Sequence, residues 1–225
     1  MNISWMKYST ITATASSGIK DIDINTLRNY VENSKNPDIF VSLPNKPRLK
    51  KKNPEMKIKP FKNQLTIGMP RDVDGIKKNV SVKFYTNGTL HFTGCNSIPL
   101  IHCVIDDVLI LLKEIGYSAN NNKDVYLSIS INMINTTFDV MYQINQRILT
   151  TILTDKYNIL SIFNPKEYAG IKCVYYTKSG KKTSFLIFKS GKITVAGSKD
   201  EGTLIEGYNK IKTILETERS NVEIN

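Results

Sequence analysis

Ser81-Val-Lys-Phe-Tyr-Thr-Asn-Gly88-Thr-Leu-His-Phe-Thr-Gly94-Cys95 is matched by Ser184-Phe-Leu-Ile-Phe-Lys-Ser-Gly191-Lys-Ile-Thr-Val-Ala-Gly197-Ser198, 103 residues downstream. Each stretch reads as a strand, a glycine turn, a second strand and a closing glycine. Asn87-Gly88 and Ser190-Gly191 each bring a residue that takes positive φ, as a tight hairpin requires. The same offset carries on into a helical pattern. Ile101, Ile105, Val108 and Leu112 map onto Leu204, Tyr208, Ile211 and Leu215, all apolar and helically spaced. Agreement through a hairpin and a helix predicts that one unit has been duplicated.

Working outward, residues 8–15 and 126–134 alternate with a period of two and predict strands. A helical pattern follows each, at about 25–34 and 141–153. Residues 64–69 run into a turn near Arg71-Asp-Val-Asp-Gly75 and return through 80–85; residues 171–176 turn at Ser179-Gly180 and return through 185–188. The order in each unit is strand, helix, strands, helix. Residues 44–62 hold eight Lys/Arg, one Glu and four prolines, and read as a basic insertion. Residues 118–122 read as a linker, which divides the chain into repeats at 1–117 and 118–225.

Net charge is +11 with a pI near 9.4, a balance that suits a polyanionic partner. The longest apolar run, Val108-Leu-Ile-Leu-Leu112, is far short of the roughly 20 residues of a membrane helix. Met1-Asn-Ile-Ser has no basic stretch leading into an apolar one, so no secretory signal is expected. The three cysteines, Cys95, Cys103 and Cys173, form no CxxC and predict a reducing, intracellular compartment. The chain has only two histidines, His91 and His102, and lacks the GxSxG, HExxH and Walker patterns. Cys95, His102 and Cys103 lack the second pair that a zinc site needs. No catalytic residue, metal, cofactor or small-molecule substrate is expected.

Several motifs resemble the TATA-binding protein family. Phe163-Asn-Pro-Lys-Glu-Tyr-Ala-Gly170 is similar to its aromatic-x-Pro-Glu-x-Phe-Pro-Gly, and Phe185-Leu-Ile-Phe-Lys-Ser-Gly-Lys192 to its Leu-Ile-Phe-x-Ser-Gly-Lys. Val195-Ala-Gly-Ser-Lys199 and Asn132-Met-Ile134 match two further motifs. In the first repeat, Phe84-Tyr-Thr-Asn-Gly88 and Phe92-Thr-Gly-Cys95 carry the likeness. It covers about residues 5–220 apart from the insertion, and looks most like the forms found in large DNA viruses of eukaryotes.

The resemblance implies an α+β fold: a two-repeat, saddle-shaped antiparallel sheet with helices on the convex side. It implies a transcription factor, not an enzyme, that grips and bends A·T-rich promoter DNA through the minor groove and nucleates an initiation complex. Asn132 would donate to central base pairs and Ile134 would lie on the groove floor, with Thr10 and Thr12 at the matching place in the first repeat. Phe61, Tyr85, Tyr168 and Phe188 would be the wedges that unstack base steps, as the family does. Phe40, in an Asn-Pro-x-x-Phe context, competes with Phe61 for its role. Thr93 would face the groove, whereas its counterpart is Ala196; Lys192 and Lys199 would touch phosphates, whereas their counterparts are Thr89 and Asn96. A TFIIB-like factor and the RNA polymerase machinery would be partners, with Lys166 and Glu167 at the contact. The implied compartment is the nucleus or a cytoplasmic viral factory. The rival reading keeps the fold as a protein-docking module that has lost DNA binding.

Overall fold

The structure is a computed structural model of the whole chain, and residues 4–42, 62–73, 75–118 and 121–224 are described. It divides into two compact units: Thr12–Ser130, and Met1–Ile11 together with Ile131–Asn225.

The unit Thr12–Ser130, here the first unit, begins within β1 (Lys7–Ser16) and continues through α1 (Ile24–Asn33), β2 (Phe40–Val41), β3 (Gln64–Gly68) and the small hairpin β4 (Arg71–Val73) and β5 (Ile76–Lys78). It ends with β6 (Ser81–Tyr85), β7 (Thr89–Cys95), α2 (Ile98–Glu114) and α3 (Asn122–Leu127). Its strands lie side by side in the order β1-β7-β6-β3-β2. Leu65, Ile67, Val82, Phe84, Leu90 and Phe92 are buried. They alternate with partly exposed Thr66, Lys83, Tyr85, His91 and Thr93, so the unit's sheet has one apolar face and one mixed face. Ile101, Val104, Ile105, Val108 and Leu112 of α2 are also fully buried, each contributing about 1.5–3 kcal/mol relative to exposure.

The second unit holds β8 (Ser130–Asp139), β9 (Gln143–Ile144), α4 (Gln146–Thr151) with a π-helical turn Ile152–Lys156, β10 (Leu160–Ile162), β11 (Gly170–Tyr176), β12 (Lys182–Phe188), β13 (Lys192–Ser198), α5 (Glu201–Thr217), α6 (Arg219–Val222) and β14 (Glu223–Ile224). Its strand order is β10-β11-β12-β13-β8-β1, with antiparallel pairing from β10 through β8. Phe185, Ile187, Ile193, Val195, Leu204 and Ile211 are fully buried. Tyr208 of α5 meets Phe138 and Trp5 edge to face at 4.9 and 5.1 Å.

The 103-residue offset runs through the elements themselves: β7 and β13, and α2 and α5, begin and end at matching positions. So do the helix caps. Ser97 accepts from Leu100 N–H at 3.2 Å, and Asp200 from Thr203 N–H at 2.9 Å. Gly88 and Gly191 have φ of +80° and +89°, and a Cβ there would lie 1.8 Å from the Ile19 carbonyl oxygen and 2.4 Å from that of Tyr142. Only glycine suits both the conformation and the space.

Two expected elements are displaced. Residues 126–129 are not strand: Asn121 accepts from Asp124 N–H at 3.0 Å and starts α3, and the strand begins at Ser130. The helix expected from residue 141 begins at Gln146, because Met141 has φ +63° and Asn145 supplies the cap, accepting from Ile148 N–H at 3.3 Å. In both cases a local Asn cap overrides the apolar periodicity.

Candidate nucleic-acid interface

In the second unit, the face of the sheet opposite the buried residues is set by register. Leu186 pairs with Thr194, Ser184 with Ala196, and Thr194 with Thr137. Lys172 and Val174 continue the face on β11, opposite Ile162 and Leu160 of β10, which are 62% and 63% exposed. The surface is apolar and β-branched, with hydroxyls interspersed.

Two aromatic rings stand at one edge of this face. Tyr168 and Phe188 have centroids 6.0 Å apart and are tilted by 56°. Gly170, the Cα partner of Phe188, lies beneath them: a Cβ on it would be 3.0 Å from the Tyr168 ring and 3.1 Å from the Phe188 ring. Absence of a side chain at Gly170 lets both rings settle close to the strand. Lys172 Nζ lies 5.1 Å from the Tyr168 ring centre, a cation–π contact that places positive charge beside the pair.

The corresponding edge of the first unit is built differently. Tyr85 is half-exposed and its Cα partner is Gln64, so a side chain stands where the second unit has none. Phe61 lies outside the described residues, as does nearly all of the basic insertion 44–62. Phe40 is 50% exposed and lies over Gly68, its Cα partner; a Cβ on Gly68 would come within 2.3 Å of that ring. It is therefore four residues along β3 from Tyr85's partner, not beside Tyr85.

Thr93 is on the same face as Tyr85 and its hydroxyl donates to the Ser81 carbonyl at 3.4 Å. Lys192 and Lys199 are exposed, and Lys192 is the Cα partner of Asp139. Thr10 is half-buried, and Thr12 retains 9% exposure next to buried Ile11 and Ala13. Asn132 is half-buried and engaged with a neighbour. Ile134 is not on the open face: it is 6% exposed and pairs with buried Ser198. It shares the buried face with Thr136 and Phe138, two and four residues further along β8, and a bulge in β13 between Val195 and Ser198 keeps Ser198 on that face as well. Asn135 takes the place at the bulge, its side-chain oxygen accepting from Gly197 N–H at 3.2 Å.

Sequence reasoning also passed over Lys83 and His91, Cα partners on the first unit's open face. Their signal was present: each is a polar residue between two buried apolar ones. Burial, with Lys83 beside it, holds the His91 imidazole below its usual pKa.

Lys166 and Glu167 are exposed on the turn before Tyr168, where Asn164 accepts backbone N–H bonds from Lys166, Glu167 and Tyr168. Cys95 and Cys173 are buried thiols, raised to about 11 and about 12 by desolvation, whereas Cys103 is exposed and His102 stacks on Tyr126 at 4.3 Å. Among the described residues no three His, Cys, Asp or Glu side chains form a metal-binding group.

A family model described as transcription factor TFIID (or TATA-binding protein, TBP) matches residues 128–217. A TATA-box-binding protein-like protein of Acanthamoeba polyphaga mimivirus is 28% identical over 187 residues, covering 73% of this chain and 50% of that protein. TATA-box-binding protein 2 of Entamoeba histolytica is 28% identical over 138 residues, covering 61% of this chain and 59% of that protein. The chain thus spans about half the length of the curated relatives it matches. Among solved structures, Methanococcus jannaschii TBP superposes with a TM-score of 0.61 at 19% identity, over 96% of this chain and 99% of that one, which establishes the shared fold. The family model's match over residues 128–217 and the likeness to these relatives support the TATA-binding protein family as the one this chain is similar to, in a diverged form, and whose fold it shares.

Proposed function

We propose that the protein is a minor-groove DNA-binding transcription factor that bends A·T-rich promoter DNA and nucleates an initiation complex. Residues 1–117 and 118–225 act as two diverged copies of one binding unit. The observation that carries this reading is the Tyr168–Phe188 pair, seated over Gly170 at the edge of an open face of Leu186, Thr194, Val174 and Ala196. The minor groove shows mainly acceptors at A·T pairs, and a face of hydroxyls and small apolar groups suits it. Aromatic wedges unstack a base step at a few kcal/mol, offset by contact along the bent groove. Tyr85, Thr93, Thr10, Thr12 and Asn132 add contacts, and Lys192 and Lys199 supply phosphate contacts that give affinity without sequence choice.

The turn carrying Lys166 and Glu167 takes a TFIIB-like factor, through which the polymerase machinery is recruited; nucleus or viral factory is the compartment this implies. A second reading is favoured by Gln64 opposite Tyr85 and by Ala196 in place of a threonine: the fold as a protein-docking module without strong DNA binding. Selection from a random duplex pool, followed by end-to-end energy transfer on the selected duplex, separates the two. Enrichment of A·T-rich, bent duplexes supports the first reading. No enrichment, with a TFIIB-like protein still bound, supports the second.

A further inference from the structure

Lys83 and His91 face each other across β6 and β7 on the open face of the first unit. The positions 103 residues on, Leu186 and Thr194, face each other across β12 and β13 in the same way. One register pair is therefore polar and nitrogen-bearing in the first unit and largely apolar in the second. Leu90 and Phe92 flank His91 and are fully buried, which fixes the imidazole on the opposite face. Its Nδ1 is sealed from solvent without a partner among the described residues, while the residue as a whole is part-exposed. The Nε2 end is the polar edge that is left to meet a ligand.

We propose, building on the minor-groove reading above, that His91 lets the first unit accept a G·C pair that the second unit rejects. A G·C pair differs from A·T in the minor groove by the guanine N2 amino donor. Against Leu186 that amine loses water, and the acceptor facing it, the Thr194 hydroxyl, sits one bond from Cβ and stops short of where the longer imidazole carries its nitrogen. Against a neutral imidazole it meets the Nε2 lone pair. Each neutral tautomer leaves Nδ1 unpartnered, so the protein does not force Nε2 to be a donor. Nε2 can accept from guanine N2 or, as the other tautomer, donate to adenine N3 or thymine O2. Lys83 supplies a second donor for the groove's acceptors and, as a like charge, disfavours the imidazolium, which cannot accept. The neighbouring stretch of β1, residues 12–16, brings no titratable group.

The test scans G·C pairs through an A·T-rich duplex in fluorescence-anisotropy titrations of the whole chain. A protein with one tolerant unit can place it over either half of the site. Wild type is therefore expected to bind a duplex with one G·C pair, in either half, within about threefold of the all-A·T duplex. A pair in both halves costs about tenfold or more. His91→Thr, which installs the second unit's residue, is expected to lose about tenfold on the single-G·C duplex relative to its own all-A·T affinity. Replacing guanine by inosine, which lacks the N2 amine, restores that loss. His91→Gln, which keeps an acceptor, retains most of the tolerance, and circular dichroism melts show that the variants are folded. Equal single-G·C and double-G·C penalties in wild type, or a His91→Thr loss that inosine does not restore, overturns the proposal while leaving groove binding intact. Failure of wild type to bind any of the duplexes overturns the groove-binding reading and this proposal with it.

Discussion

Gly170 and Phe188 are Cα partners across β11 and β12, and a Cβ on Gly170 would lie 3.1 Å from the Phe188 ring and 3.0 Å from that of Tyr168. The backbone at Gly170 does not need glycine; the two rings do. Gly170→Ala is expected to push the rings apart at a cost of about 1 kcal/mol. DNA affinity falls several-fold while the melting temperature moves by no more than a few degrees. Anisotropy titration beside a thermal melt checks it, and an equal loss in both measurements would make Gly170 a purely structural residue.

Gly88 and Gly191 face the opposite constraint. Both have left-handed φ, and a Cβ at either runs into a backbone carbonyl. Gly180 has φ +77° with nothing within 4 Å of its would-be Cβ. Gly180→Ala should therefore cost about 1–2 kcal/mol of left-handed strain, and Gly88→Ala and Gly191→Ala clearly more, because the turn must also move. Urea unfolding of the three variants gives the order; equal costs would remove the steric part of the argument.

Glu218 is 3% exposed at its side chain and accepts from Lys156 at 2.6 Å, Tyr157 at 2.7 Å and Asn221 at 2.9 Å. These hydrogen bonds hold its carboxyl down to about 2, against an ordinary 4.5. A carboxyl lowered on folding adds stability that is complete above the unfolded value and is lost as pH falls toward the folded one. Stability of the second unit should therefore decline between about pH 5 and pH 2. Glu218→Gln should be less stable at neutral pH and show a flatter acid limb. Denaturant midpoints measured across that range are the check.

The legible part of this molecule was its repetition. Ser97 and Asp200, Gly88 and Gly191, and the stripes of α2 and α5 all sit at one offset, and each is fixed by local chemistry: a cap, a turn, an amphipathic period. Register in the strands was less legible. The motif resemblance put Ile134 in the groove, whereas the period of two along β8 puts it with buried Thr136 and Phe138. His91 was not read as a groove residue for another reason: its position between Leu90 and Phe92 was plain, but the sealing of Nδ1 from solvent is visible only in the folded chain.

His91 also gives the G·C tolerance a pH dependence. Burial, then the neighbouring Lys83, lowers its pKa from the ordinary value. The acceptor form therefore persists on acidification below the range in which an exposed histidine would charge. Lys83→Leu removes the second cause and shifts the pKa back upward. The variant's preference for single-G·C over double-G·C duplexes should thus fade at a higher pH than wild type's. Titrations on both duplexes from pH 7.5 down to about pH 5, a span that crosses histidine's ordinary titration range, measure this. A fade at the same pH in both proteins would show that Lys83 does not set the imidazole's charge.

Phe188 and Tyr85 occupy matching ends of β12 and β6, yet their surroundings differ. Phe188 stands over Gly170 beside Tyr168, with Lys172 close by; Tyr85 stands opposite Gln64. A wedge works by leaving water and entering a base step, and a phenyl ring gives up no hydrogen bond in doing so, whereas the Tyr85 hydroxyl must find a partner there. Phe188→Ala is therefore expected to weaken binding to an A·T-rich duplex more than Tyr85→Ala does, by about tenfold against about threefold. Both losses should shrink on a duplex already kinked by a mismatch, since unstacking and bending have been met in advance. Lys192→Gln should behave otherwise: it lowers affinity for all sequences alike and flattens the salt dependence by about one unit of slope. The measurement is an anisotropy titration of the three variants at several salt concentrations on straight and kinked duplexes. Wild-type binding by Phe188→Ala on both duplexes would exclude intercalation at this end of the sheet and leave the docking-module reading as the one the chain supports.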